Sequence, residues 1–212
     1  FNAGGSGTVV LTSLANSFSG DVFIDTGTLS VGSDANLGDV NNTVTVSNGG
    51  RLLFTGSFTS ARDVDLGTGG TIDTGANALV LNGDVTGGGL TKDGSGTLTL
   101  GGDMAAYTGT TTINDGTLSL GSGPNAQLGS ALVFNGTGNS TLDVTGDLSS
   151  AATVTMNADG NITTGGNELD LTGAISGTGN LSFTGTNPTS GVPGSGGLLV
   201  LGGDNSGLSG VI

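Results

Sequence analysis

The stretch GDVFIDTGTLSVGS at 20–33 returns as GTTTINDGTLSLGS at 109–122, with Gly20, Ile24, Gly27, Thr28, Leu29 and Gly32 each meeting an identical residue 89 positions later. The offset then drifts to 90, where Leu52, Val64, Ile72, Asn77, Leu79 and Leu81 meet Leu142, Val154, Ile162, Asn167, Leu169 and Leu171. A third copy opens near Ser195 at an offset of 101, because TNPTSGVPGSG (186–196) is inserted before it. Such self-similarity restricts a chain to architectures in which one unit buries its apolar face on the next. We therefore read 1–212 as one solenoid cut from a longer array, with units at about 6–94 and 95–194 and an incomplete third from 195.

The words inside each unit are strands. VFID, TLSV, TVTV, ALVL, TLTL, TLSL and LDLT are short Leu-rich and β-branched runs bounded by Gly, Asn or Asp. No window of a dozen residues keeps a 3.6-residue apolar period free of glycine, so no helix is expected. In TLTL (97–100), Leu98 and Leu100 share one side and Thr97 and Thr99 the other. Leu, Ile, Val and Phe make up about a quarter of the chain, above the roughly 20% below which a sequence fails to bury a core.

Strands of four or five residues cannot hold an independent sheet, whereas coils stacked in parallel give each strand two partners and line the inward residues into columns. At roughly 20–25 residues per coil the chain makes about nine coils, rising ~40–45 Å. Sandwiches and antiparallel barrels favour tight hairpins and an aromatic-rich centre; this chain has no Trp and one Tyr.

The run GGLTKDGSGTLTLGGDMAAYTGTTTINDGTLSLG (88–121) resembles the autotransporter-associated β-strand repeat, also called the passenger-associated transport repeat. The residues that carry the resemblance are Gly89, Leu90, Lys92, Gly94, Gly96, Thr97, Leu98, Leu100, Gly102, Tyr107, Gly109, Thr111, Ile113, Gly116, Thr117 and Leu118. A degraded copy lies at 6–33, with Phe18 in the place of Tyr107, and the opening of another at 195–212, with Leu208 there. The resemblance implies a right-handed parallel β-helix, export to the bacterial cell surface, and a stalk or scaffold role. It implies no active site.

Composition excludes several functions. Three Lys and Arg against seventeen Asp and Glu, a net charge of −14, leave no basic patch for nucleic acid or an anionic membrane. The acidity reads as solvated turns that keep molecules apart. With no cysteine there is no thiol chemistry and no disulfide, and no apolar run reaches the length of a membrane-spanning helix. No cofactor or metal is expected. The nearest approach to a paired-carboxylate site is Asp63 and Asp65, expected to be a solvated face; Asp34 and Asp159 are turn positions where calcium could bind weakly. Threonine pairs of the kind that ice-binding solenoids use occur at Thr43/Thr45, Thr97/Thr99 and Thr153/Thr155, but they do not recur once per coil in the sequence, so no flat array is expected. Tyr107 is expected to pack at a corner.

The function expected is a structural segment of a large exported surface protein. A carbohydrate- or receptor-binding adhesin using loops such as 186–196 is the alternative, and a polysaccharide-acting enzyme has the least support. Expected partners are further copies, end to end or side by side, and a surface glycan or host ligand.

Overall fold

The computed structural model describes residues 1–121, 123–136, 140–185 and 197–212, over which the chain winds into a parallel β-solenoid of about nine turns. A complete turn contributes three short strands, for example Val64–Asp65, Gly70–Asp73 and Ala78–Leu81. Each pairs in parallel with its equivalents one turn before and one turn after, so three ladders run along the axis.

The first ladder takes Asn2–Gly4, Val22–Asp25, Val44–Ser47, Val64–Asp65 and the start of Val85–Asp93. It is re-formed at the same place in the chain order by Leu148–Ser150, Glu168–Leu171 and Leu198–Leu201. The second runs from Thr8–Leu11 through Thr28–Val31, Arg51–Phe54, Gly70–Asp73, the end of Val85–Asp93, Tyr107–Ile113, Ala131–Phe134, Thr153–Met156 and Ile175–Gly177 to Gly207–Leu208. The third joins Phe58–Ser60, Ala78–Leu81, Thr97–Leu100, Thr117–Leu120, Ser140–Val144, Gly160–Gly165 and Leu181–Gly185.

The registers set the period. Leu79 faces Leu98, Val44 faces Val64, Leu29 faces Leu52 and Leu118 faces Leu142, which makes a turn 19 to 24 residues. The step from Ser176 to Gly207 is 31 because the insertion at 186–196 falls within it. That segment, the candidate binding loop, lies outside the described residues.

Strict alternation then builds the core. In the third ladder Leu79, Leu98, Leu118, Leu142 and Ile162 face one another in succession and all are fully buried. Each such side chain contributes roughly 1.5–3 kcal/mol relative to exposure. The main chain is satisfied by the same stacking, since in a parallel ladder each strand bonds to the turns on both sides.

Corners are made by glycine because main chains touch there. A Cβ on Gly109 would stand 1.8 Å from the carbonyl oxygen of Gly88, and one on Gly129 would stand 1.9 Å from that of Gly109. No side chain fits into that stack. The Gly87-Gly88-Gly89 run at this corner lets Val85–Asp93 turn from the first ladder into the second with a bulge in its pairing.

One element departs from the expectation that no helix forms. Asp34–Leu37 is a single 3-10 turn where the third-ladder strand of that coil would lie. Ser33 caps it, and the buried Asn36 side chain accepts the amides of Gly32 and Ser33, both at 2.9 Å.

Leu118→Ala is expected to lower unfolding stability in urea by about 2–5 kcal/mol, because the neighbouring turns fix the cavity walls. Thr117→Ala, one residue away on the outer side, should change it by no more than about 0.5 kcal/mol. Equal effects at the two positions would contradict the columnar core.

Candidate functional site

The repeat-motif residues divide by position. Leu98, Leu100, Ile113 and Leu118 point inward and are at most 1% exposed. Thr97 and Thr117 face each other on the outside of the third ladder. Gly96 closes a corner where a Cβ would stand 1.9 Å from the Asn77 carbonyl oxygen, and Gly116 adopts a φ of 66° at the next such corner. Tyr107 is fully buried beside Gly129 and Gly109.

The Tyr107 hydroxyl has a complete polar circuit. It accepts the Leu90 amide at 3.1 Å and lies 2.9 Å from Thr111 Oγ1, which donates to the Leu128 carbonyl at 2.9 Å. Thr111 has one proton and gives it to Leu128, so the proton between the two hydroxyls belongs to Tyr107. Burial raises the Tyr107 pKa against the opposing effect of these hydrogen bonds. Tyr107 thus packs at a corner and also ties three successive segments together, which Phe18 and Leu208 cannot do.

Lys92 lies in an inward column, facing Ile72 on one side and Ile113 on the other, with no exposed surface. Its three ammonium protons go to three carbonyls, those of Asp93 (3.0 Å), Gly94 (2.7 Å) and Asp115 (3.1 Å). Burial pushes its pKa down from 10.5 to about 8, opposed by the carboxylates of Asp115, Asp73 and Asp93. Arg51 stands over the same corner, bonded to Asp73 and, at 3.0 Å, to Asp93.

Arg62, 3% exposed, is the second buried cation. Its Nε bonds Asp34 Oδ1 at 2.9 Å, and its Nη atoms donate to the carbonyls of Gly38 at 2.9 Å and of Asp39. It therefore ties the 3-10 turn to the segment that follows it, where the Asp39 carbonyl also accepts the Asn42 amide. Both buried cations share strand parity with inward residues, Lys92 with Leu90 and Arg62 with Val64 and Leu66. That alternation was the available signal in the sequence.

The candidate chemistry dissolves on inspection of partners. Asp63 accepts the Asp84 amide at 2.9 Å and Asp65 the Gly67 amide at 2.8 Å, so the pair consists of two corner caps. Asp84, Asp147 and Asp159 likewise accept the amides of Asp103, Glu168 and Asn180 one turn on. Much of the acidity is therefore structural and not only a solvated surface, a correction to the sequence reading. The calcium candidates are engaged too, Asp34 by Ser60 and Arg62 and Asp159 by Asn180. Among the described residues no three His, Cys, Asp or Glu side chains converge as a metal site.

The threonine pairs do not recur once per turn. On the outside of the third ladder Ala78/Val80 precede Thr97/Thr99, which stack on Thr117/Ser119, Thr141/Asp143, Asn161/Thr163 and Ser182/Thr184, a mixed polar row over five turns. Sequence spacing does not show this row because turn length varies. The middle of the row is engaged internally, Asp143 accepting from Ser119 at 2.9 Å and from Thr163 at 2.7 Å. Two shallow grooves lie on the surface. One, of about 280 Å³, is lined by Gly69, Gly70, Thr71, Gly88, Gly89 and Thr91; the other, of about 330 Å³, by Asp147, Leu148, Ser149, Glu168 and Asp170. Neither brings an acid, a base and a nucleophile together.

Comparison with known proteins agrees with this architecture. The passenger-associated-transport-repeat family matches residues 3–31 and 90–120. The chain is similar to the adhesin BmaC autotransporter of Brucella suis biovar 1 (strain 1330), 37% identical over 201 residues. That match covers 88% of this chain and 6% of the relative, so the chain spans a small fraction of the curated protein it matches. No solved structure matches significantly.

Two outcomes test the polar groups. Arg62→Ala should cost about 3–5 kcal/mol in urea unfolding, since it takes from Asp34 its counter-charge, leaving only the Ser60 hydroxyl, and removes the donor to the Gly38 carbonyl. Because the Lys92 pKa is lowered on folding, the unfolded chain binds more protons above about pH 8, and stability should rise with pH from about 8 toward 10. Lys92→Met should lack that rise; the same slope in both proteins would show that Lys92 does not titrate as described.

Proposed function

The chain is a passenger-associated transport repeat protein, carrying two copies of that repeat on a parallel β-solenoid, and from this premise we propose that it is a rigid scaffold segment of a long exported passenger. It spaces functional parts of the parent protein from the bacterial surface. One observation carries the reading. The distinctive motif side chains are directed to inward packing, corner closure or main-chain hydrogen bonds, and no described cleft assembles catalytic groups. Membership in a passenger repeat family also favours a structural over an enzymatic role. A scaffold of this kind belongs outside the cell.

Adhesion is the second reading, supported by the similarity to a Brucella adhesin. Its ligand would be a glycan or a host receptor, and the array's exposed faces or the 186–196 excursion would meet it.

Export and adhesion separate the two. In the parent passenger, replacing inward Leu98, Leu118 and Leu142 by Asp should abolish a protease-resistant surface product, while replacing outward Thr97, Thr117 and Thr141 by Ala should leave display and cell binding intact. Loss of binding with normal display in the outward variant would favour adhesion; normal display of the inward variant would overturn the scaffold reading.

A further inference from the structure

The long offsets of the sequence are not whole numbers of turns. Climbing the second ladder from Leu29, the register passes Leu52, Ile72 and Lys92 to reach Ile113 after four turns. The sequence counterpart of Leu29 is Leu118, five residues further on, in the next strand of the chain and so on the third ladder. Leu52 behaves alike: four turns lead through Ile72, Lys92 and Ile113 to Phe134, and its counterpart Leu142 lies one strand on. From Leu98 on the third ladder, four turns lead through Leu118, Leu142 and Ile162 to Phe183. Its counterpart Leu199 again lies in the next strand, Leu198–Leu201, on the re-formed first ladder. Val9, Leu98 and Leu199 are one word written on three faces.

The corners travel with the words. After Thr8–Leu11, Thr97–Leu100 and Leu198–Leu201, a side-chain oxygen of Ser13, Asp103 or Asp204 accepts the amide two residues on, at 3.2, 2.7 and 2.9 Å. The Tyr107 amide then bonds the Met104 carbonyl at 2.9 Å and the Leu208 amide bonds that of Asn205 at 3.1 Å. Hydrogen bonds are conserved in the same way across the 90-residue offset. Asn77 Nδ2 donates to the carbonyls of Phe54 and Thr74, and Asn167 Nδ2 to those of Val144 and Thr164.

We propose that the repeat of this protein is a screw operation: each unit of about 90 residues advances the solenoid by four turns and one face, so that successive units set equivalent strands on successive faces and every third unit returns to the first. The physical basis is that the three ladders make equal demands. Each needs an apolar-x-apolar word of fixed parity, a parallel neighbour at ~4.8 Å and a capped corner, so a word fits any face. An insertion between faces, such as 186–196, lengthens the offset to 101 without changing the phase. The alternate pair Thr28/Ser30 of the second ladder thus returns as Thr117/Ser119 on the third, whereas the pairs Thr8/Val10, Thr97/Thr99 and Leu198/Val200 differ from face to face, because the screw fixes the inward word and leaves the outward residues free. This geometry holds whether the segment is a scaffold or an adhesive surface.

Pulsed electron-resonance distances between nitroxide labels test the screw. Thr99 and Thr184, four rungs apart on one ladder, give the same-face reference, ~19 Å along the axis. In the full chain the unit-equivalent pairs Val10/Thr99 and Thr99/Val200 should exceed that reference. Residues 29–117 are then duplicated in place after Thr117, a joint that keeps the native residue order Gly-Thr-Leu-Ser. The two copies of Thr99 should show the Thr99/Val200 distance, with one thermal transition no lower than the parent's. A distance equal to the reference overturns the proposal. So does failure of this duplicate to fold when a duplicate of whole turns, 30–113 inserted after Ile113, folds normally, because the faces would then not be interchangeable. If both duplicates fail, the two native pairs decide: values at the reference reject the screw and longer values uphold it.

Discussion

A strand of four residues cannot satisfy its own main chain, and in this protein nearly every strand is about that short. Its amides and carbonyls find partners only in the turns directly before and after it, in parallel and in register. That requirement holds the turn to 19 to 24 residues and brings like residues over like. It also forces main chains so close at the corner of Gly88, Gly109 and Gly129 that a Cβ is excluded. The leucine columns follow from the same constraint, since a register that aligns one pair of main-chain bonds aligns every inward side chain of the strand.

Against this background the few cations have an unexpected place. Two of the three, Lys92 and Arg62, are inside, where each closes a corner by donating to main-chain carbonyls, those of Asp93 and Asp39 also accepting a main-chain amide. Such groups are costly to bury unless fully bonded. Their completeness here is what makes them tolerable in an otherwise apolar column. The carboxylates do the complementary work for amides: Asp63, Asp84 and Asp147 each receive one from the following turn. Charge is therefore largely a means of satisfying the main chain at corners, and this accounts for so acidic a chain bringing no carboxylate cluster together among the described residues.

Function then rests on form more than on chemistry. A stack whose every turn poses the same demands can be lengthened, interrupted by insertions and rotated in phase while its core stays continuous. These properties suit the scaffold role proposed above, and the chain matches a passenger repeat family at residues 3–31 and 90–120. Any recognition it performs has to use outward side chains, whose identity the core leaves free.

The sequence alone determined the solenoid, because Leu98 and Leu100 alternate with threonines and the same words return too often for a hairpin fold. It also carried the family resemblance, through Tyr107, Gly109 and the Gly-Thr-Leu words. Lys92 and Arg62 had the inward parity of Leu90 and Val64, but their charge disguised it. What only the tertiary structure decided was which residues of different turns meet. Turn lengths range from 19 to 24 residues, so the polar row on the third ladder, the corner-capping aspartates and the one-face advance of each unit are invisible to counting along the chain. Hydrogen-bond register, and not sequence spacing, sets what lies above what.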